Sequence, residues 1–208
     1  MVNSIRLLLV FVLLNMVSSC KPQSYDAAGL KSFVLKEDHG LMRQHERKGY
    51  KLMLYNRPTD LWVAQELRDD LPTDSLITVL RKKYDNYLYF MLNISMEGKE
   101  ALYASENFGT FSNVLQNLSF RMGGFTEMVT SQKDTIPVAD SHYDRLYGQS
   151  GNTSVMIAFH KDQIKDTDWV QINIKDIGLG TGRTTYRFQT KNLLSVPQID
   201  FLRNSITQ

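Results

Sequence analysis

The stretch SVMIAFHKDQIKDTDWVQINI, residues 154–174, contains two segments in which apolar side chains occupy every second position. The segments are Ser154–His160 and Trp169–Ile174. A repeat of two residues places alternate side chains on opposite faces of a β-strand. Alternation of this kind is typical of antiparallel strands with one face buried and one face open to solvent. This stretch therefore predicts an antiparallel sheet in the C-terminal half.

Three further strand candidates surround this stretch: Phe125–Thr130, Thr135–Val138 and Thr184–Thr190. The glycine-rich loop Gly178–Gly182 precedes the last of them. A nucleotide-binding glycine loop follows a strand and opens a helix. Here a strand follows the loop, so we interpret its glycines as turn residues that tolerate positive φ.

The N-terminal half has a different character, because its apolar side chains recur mainly at helical spacing. Two elements there are strand-like: the hairpin Leu41–Tyr55, which turns at Arg47-Lys48-Gly49, and the buried run Tyr87–Met96. The first helix candidate is Ala28–Lys36, and a second starts at Pro58-Thr59-Asp60. A third starts at Pro72-Thr73-Asp74 and carries Leu76, Val79, Leu80 and Tyr84 on one face. The fourth is Phe111–Met122, which Gly123-Gly124 should stop.

The pattern as a whole predicts an α+β fold in a single globular domain, residues 28–208. Helices mainly from the N-terminal half are expected to pack on a largely antiparallel sheet from the C-terminal half. The chain contains 24 basic and 22 acidic side chains and shows no basic stripe. Because nucleic-acid binding depends on concentrated positive charge, this balance argues against a nucleic-acid partner.

Residues 1–19 have the layout of a signal peptide: Arg6 is followed by an apolar run from Leu7 to Leu14, which Met16 and Val17 extend. This run is shorter than the roughly 20 apolar residues that a membrane-spanning helix needs. We therefore expect a cleaved export signal.

The next residues, Val17-Ser18-Ser19-Cys20, resemble the lipobox of bacterial lipoproteins. This resemblance implies cleavage before Cys20, acylation of Cys20 by palmitate-type chains, and a short tether over residues 20–27. It also implies attachment to the cell envelope, where Lys21 after the cysteine favours the outer membrane over the inner. No acidic cluster follows Cys20, so we expect the periplasmic face. The layout is similar to that of Bacteroidota lipoproteins, although no motif past Cys20 identifies a family for the mature domain.

Cys20 is also the only cysteine in the chain. An unpaired thiol in an exported protein calls for an explanation, and acylation provides one. The domain cannot form an internal disulfide, so packing alone must stabilise it.

The sequence predicts no catalytic residue, no metal site and no cofactor, because it lacks the H-E-x-x-H, G-x-S-x-G and S-x-x-K motifs. His142, between Asp140 and Asp144, is the best alternative for a metal site. Its neighbours lack the ligand spacing of a zinc motif, so we expect an exposed polar loop there.

Two functional hypotheses remain open. The first is a non-enzymatic scaffold that binds another envelope protein, which requires an exposed apolar or aromatic patch. The second is a periplasmic protein that binds or hydrolyses an envelope ligand, which requires a concave pocket with convergent polar groups. Candidate ligand-binding residues are His142, Asp144 and Arg183, together with Trp62, which is expected to face solvent beside the polar stretch Arg57–Asp60.

Overall fold

The alternating segments form two antiparallel sheets in a computed structural model that describes residues 25–68, 71–104 and 107–204. The predicted signal peptide and Cys20 lie outside these residues. The strands are β1 (Met42–Arg47), β2 (Tyr50–Arg57), β3 (Tyr87–Met96), β4 (Lys99–Glu100), β5 (Thr126–Thr130), β6 (Thr135–Pro137), β7 (Asp140–Asp144), β8 (Thr153–His160), β9 (Trp169–Ile174) and β10 (Thr184–Gln189). The helices are α1 (Ala27–Leu35), α2 (Thr59–Leu67), α3 (Asp74–Tyr84), α4 (Phe108–Gln116), α5 (Met122–Phe125), α6 (Thr190–Leu194) and α7 (Phe201–Asn204).

The larger sheet has the strand order β1-β2-β3-β8-β7, with β4 paired to β3, and the smaller sheet has the order β10-β9-β5-β6. The predicted α+β class is confirmed. The predicted placement of the helices mainly in the N-terminal half and of the sheet in the C-terminal half is not confirmed, because α4 to α7 lie in the C-terminal half and β1, β2 and β3 form half of the larger sheet. Periodicity reveals a strand but not its partner, and here β3 pairs with β8 across some 60 intervening residues.

The core lies between the inner faces of the two sheets. Phe90 on β3 and Phe188 on β10 are both fully buried, and their ring centroids lie 5.2 Å apart. Phe159 on β8 packs edge-on against Phe90 at 6.2 Å. Burial of large apolar side chains from both sheets stabilises the fold, because each removes apolar area from water.

The predicted N-terminal helices are confirmed, and their starts follow from capping. The Asp26 carboxylate accepts a hydrogen bond from the Gly29 N–H at 2.6 Å, and the Thr73 hydroxyl accepts one from the Leu76 N–H at 3.3 Å. The predicted apolar face of α3 is partly wrong, because Val79 is 61% exposed. Ile77 is buried in its place, since α3 turns this side toward α2.

The helix that begins at Phe108 continues further than its sequence predicts. A π-helical turn, Asn117–Arg121, follows α4, and α5 then carries the chain through Gly123-Gly124 to Phe125. The buried positions Val114, Leu118 and Met122 agree with the predicted stripe. Each helical glycine costs roughly 1 kcal/mol relative to alanine, and burial of Met122 and Leu118 offsets this cost.

The segment around His142 is a strand, β7, and not the exposed loop that its sequence predicts. It pairs with β8 and forms one edge of the larger sheet. Tyr143 is the only buried side chain in β7. An edge strand has a neighbouring strand on one side only, so fewer of its side chains are buried. A strand with a single buried side chain has too little apolar alternation to be recognised from its sequence.

The folded domain begins at least as early as Tyr25. Tyr25 forms a parallel β-bridge with Ile199, and Asp26 caps α1. Both residues were expected to belong to the tether. The bridge places the N-terminal and C-terminal segments of the described chain side by side.

Tyr186 on β10 gives the fold an alkaline limit. The ring is fully buried, and burial raises the pKa of Tyr186 to about 12. An unfolded tyrosine ionises near pH 10, so the unfolded chain loses this proton first. The contribution of the neutral Tyr186 to the free energy of unfolding is therefore complete below about pH 10. It falls as the pH rises toward 12, by up to about 1.4 kcal/mol per pH unit.

We therefore expect urea unfolding of the wild-type protein to show a steeper loss of stability between pH 9 and pH 11 than unfolding of Tyr186→Phe. The phenylalanine variant keeps the ring and lacks the titrating group. Parallel losses in the two proteins would contradict the assignment to Tyr186.

Candidate functional site

Candidate surfaces lie at the two ends of the larger sheet. At one end, which we call the helical end, α2 follows the end of β2 and α3 precedes the start of β3. At the other, the loop end, β3 finishes and β8 starts. Residues 101–104 follow β4 there, and residues 145–152 connect β7 to β8. Because β3 has ten residues, the two ends are about 30 Å apart.

A cleft of about 400 Å³, which we call the polar cleft, lies at the helical end. Residues 196–198 form one of its walls. Its charged lining residues are Arg57, Asp60, Arg81, Lys82, Asp85 and Lys161. Tyr87 and Tyr89 add two aromatic rings from β3.

The most buried charge in the polar cleft is Asp60, which is 4% exposed in the first turn of α2. Its carboxylate accepts hydrogen bonds from Nε and Nη2 of Arg81 at 2.8 and 2.7 Å, and from the Ile199 N–H at 2.7 Å. The hydrogen bond to Asp60 raises the pKa of Arg81. This network joins α2, α3 and the C-terminal segment, so its role is structural.

Arg57 is different, because no carboxylate in the described part of the chain forms an ion pair with it. Its Nη2 donates to the side-chain oxygen of Gln65 at 2.5 Å and to the Leu61 carbonyl at 3.3 Å. Burial lowers the pKa of Arg57, although Tyr55 and Asp144 act in the opposite direction. The guanidinium remains a charged donor at neutral pH, because arginine stays protonated in proteins.

Trp62 is half-buried and does not face solvent freely, contrary to expectation. The Arg57 guanidinium lies 4.0 Å from its ring centroid. Tyr84 stacks on Trp62 at 6.0 Å, and Tyr89 contacts it edge-on at 5.3 Å. Tyr84 and Tyr89 come from α3 and β3, so inspection of the residues near Trp62 in the chain could not reveal these two contacts.

His142 and Asp144 are neighbours on β7, where Nε2 and Oδ1 lie 3.1 Å apart. Both side chains are more than half exposed. They project from the same face of the sheet as Arg57, because Asp140 is in register with Ala158, Tyr89 and Arg57. They lie outside the lining of the polar cleft.

Arg183 immediately precedes β10 of the smaller sheet, and its Nη2 donates to the Glu127 carboxylate of β5 at 2.8 Å. The structure thus brings together two of the four candidate residues, His142 and Asp144, and leaves Trp62 and Arg183 apart from them. Within residues 25–68, 71–104 and 107–204, no group of three metal-ligating side chains is present.

The loop Gly178–Gly182 is a turn, as its sequence predicts. The Asp176 carboxylate accepts hydrogen bonds from the N–H groups of Gly178, Leu179, Gly180 and Gly182, at 2.9 to 3.1 Å. These are the amides that a phosphate would need, and they are already engaged. Gly180 and Gly182 have φ near +70°, which explains the choice of glycine.

Exposed apolar side chains cluster at the loop end. The members of this cluster, which we call the loop patch, are Tyr103 (44% exposed), Phe108 (83%), Leu146 (42%) and Tyr147 (64%). The sequence did not reveal it, because its members come from three separate segments and Phe108 lies at a helix start. Phe108 follows Asn107, whose side chain caps α4.

Several contacts link the segments that carry the loop patch. The Tyr103 ring lies 5.7 Å from the Phe111 ring, and Phe111 is one helical turn after Phe108. A Cβ added at Gly148 would lie 3.7 Å from Tyr103, so this loop packs directly against that ring. The Arg145 guanidinium lies 4.8 Å from the Tyr147 ring centroid.

A buried carboxylate positions the loop that carries Leu146 and Tyr147. Glu100 is 2% exposed and accepts a hydrogen bond from the Ser150 N–H at 3.1 Å. Burial raises the pKa of Tyr143 to about 12, and the negative charge of Glu100 acts in the same direction. Tyr143 therefore stays neutral beneath the loop patch at physiological pH.

No known protein family, curated protein or solved structure matches this chain. In the described ranges, no helix combines the length and apolar character needed to cross a membrane.

Proposed function

We propose that this chain is a lipid-anchored protein of the cell envelope that acts without catalysis, by binding another envelope protein through the loop patch. The anchor would be acylated Cys20, and the outer membrane, on its periplasmic face, is the expected site of attachment.

The observation that carries the binding role is the exposure of Phe108 and Tyr147. Folded proteins rarely leave contiguous large apolar side chains in water unless they contact a partner. Aromatic side chains with a neighbouring arginine are also the residue types that contribute most at protein interfaces. Arg145, stacked on Tyr147, completes this composition.

A catalytic alternative has less support from the polar cleft. Its two carboxylates, Asp60 and Asp85, are each engaged by a cation, Arg81 and Lys161. A general acid or base needs a proton-accepting group that is free to reach a substrate. The pairing therefore favours a structural or binding role for these carboxylates.

The test places a photo-crosslinking amino acid at position 147 or, as a control, at the exposed Gln163 near the helical end. We expect a discrete adduct with one envelope protein from position 147 and none from 163. Equal adducts from the two positions would exclude the loop patch as the interface.

The same cells test the anchor. The wild-type chain should incorporate labelled palmitate and sediment with membranes, whereas Cys20→Ala should lose the label completely. If Cys20→Ala still incorporates palmitate, Cys20 is not the site of acylation.

A further inference from the structure

The polar cleft lies beside the point where the chain enters the folded domain. Tyr25 is bridged to Ile199, and residues 196–198 line the cleft. Cys20 precedes Tyr25 by five residues, which span at most about 18 Å when fully extended. An acyl group on Cys20 would therefore hold the helical end close to the bilayer surface.

A second cleft, of about 380 Å³, adjoins the polar cleft at Arg57. It is lined by Lys31 and Ala27 of α1, by Tyr55 of β2 and by α2. Arg57 lines both cavities, so the two clefts adjoin at its side chain.

The charges of this site are unbalanced in favour of cations. Five cationic side chains and two carboxylates line the two clefts. Arg81 and Lys161 neutralise the two carboxylates. Arg57, Lys31 and Lys82 remain without an ion-pair partner among residues 25–68, 71–104 and 107–204.

Three uncompensated cations close to a bilayer are suited to phosphate. Guanidinium groups donate several hydrogen bonds to phosphate oxygens, and lysine supplies a compact positive charge. The half-buried rings of Tyr87 and Tyr89 add an aromatic wall with polar hydroxyls, a composition suited to the membrane–water interface.

We propose that the joined clefts bind the phosphate of an anionic lipid headgroup, with Arg57, Lys31 and Lys82 as its cationic partners. This inference rests on the proposed anchor at Cys20, which brings the helical end to the membrane. It assigns the helical end to lipid and leaves the loop end free for protein.

The test uses the full lipidated protein reconstituted in nanodiscs of phosphatidylcholine, with or without phosphatidylglycerol. Amide hydrogen exchange is measured over residues 81–87 and 196–199. We expect exchange there to be at least about fivefold slower in discs that contain phosphatidylglycerol, because each cation near an anionic surface contributes about that factor. Lys31→Glu and Lys82→Glu should each remove most of this protection.

Lys99→Glu provides the matched control, since Lys99 is an exposed lysine at the loop end. It should keep the full effect of phosphatidylglycerol. The proposal would be overturned if hydrogen exchange were equal in the two kinds of disc. It would also be overturned if all three variants lost the same amount of protection. Protection by inorganic phosphate alone in phosphatidylcholine discs would assign the site to free phosphate and overturn the lipid assignment.

The two proposals can fail separately. If the protein does not co-elute with phosphatidylcholine discs, the proposed anchor is rejected. If it then co-elutes with the discs that contain phosphatidylglycerol, binding of anionic lipid by the clefts is still supported. If it co-elutes with neither kind of disc, both proposals are rejected.

Discussion

Replacing Phe188 by alanine is expected to lower the free energy of unfolding by about 4 kcal/mol. Phe188 is fully buried on β10 and packs against Phe90 of the larger sheet at 5.2 Å. The variant loses the transfer free energy of the ring and leaves a cavity between two rigid sheets, which cannot collapse to fill it. Urea denaturation monitored by circular dichroism measures the loss.

Arg187→Ala is the control, because Arg187 is the preceding residue and projects from the exposed face of β10. Its change should stay within about 1 kcal/mol of wild type, because it removes only an exposed hydrogen bond to Gln171 and a cation–π contact with Trp169. Comparable losses in the two variants would mean that the packing of the two sheets does not dominate stability.

Asp60→Ala is expected to lower the free energy of unfolding by about 3 kcal/mol. The variant removes the carboxylate that accepts both Arg81 hydrogen bonds and leaves the buried Ile199 N–H without its acceptor. Breaking a buried ion pair by deleting one partner costs about 3–5 kcal/mol. The lower end applies here, because Arg81 can turn toward water.

Glu66→Ala is a matched control at the same α2–α3 contact. Glu66 pairs with Lys83 at 2.7 Å, and both side chains are at least one-third exposed. An exposed pair of this kind contributes little to stability, because solvent screens its charges. If the urea midpoints of Asp60→Ala and Glu66→Ala fall by similar amounts, the Asp60 network does not hold the C-terminal segment in place.

The elements that could be predicted from the sequence are those whose cause is local. The strand Tyr87–Met96 was predicted with its observed bounds, because apolar residues fill the run and Gly98 follows it. The helix that starts at Asp74 was predicted because Pro72 and Thr73 mark its beginning. Capping and dense apolar runs act over a few residues, so they can be recognised in one segment of sequence.

What could not be predicted depends on contacts between distant segments. The pairing of β3 with β8 is one example, and the burial of Ile77 in place of Val79 is another. The candidate sites belong to the same class. The surroundings of Arg57 and the loop patch are each assembled from several elements, and no single stretch of sequence carries their signal.

The arrangement of the two ends also determines how strong the interaction at the loop patch needs to be. For a chain acylated at Cys20, the tether and the sheet confine the patch to a hemisphere of radius about 50 Å above the bilayer. One molecule in that volume corresponds to a local concentration of about 6 mM. A membrane-bound partner within this radius would therefore have the loop patch bound most of the time, even at a Kd near 1 mM. The same domain released from the membrane at micromolar concentration would leave that partner almost entirely unbound.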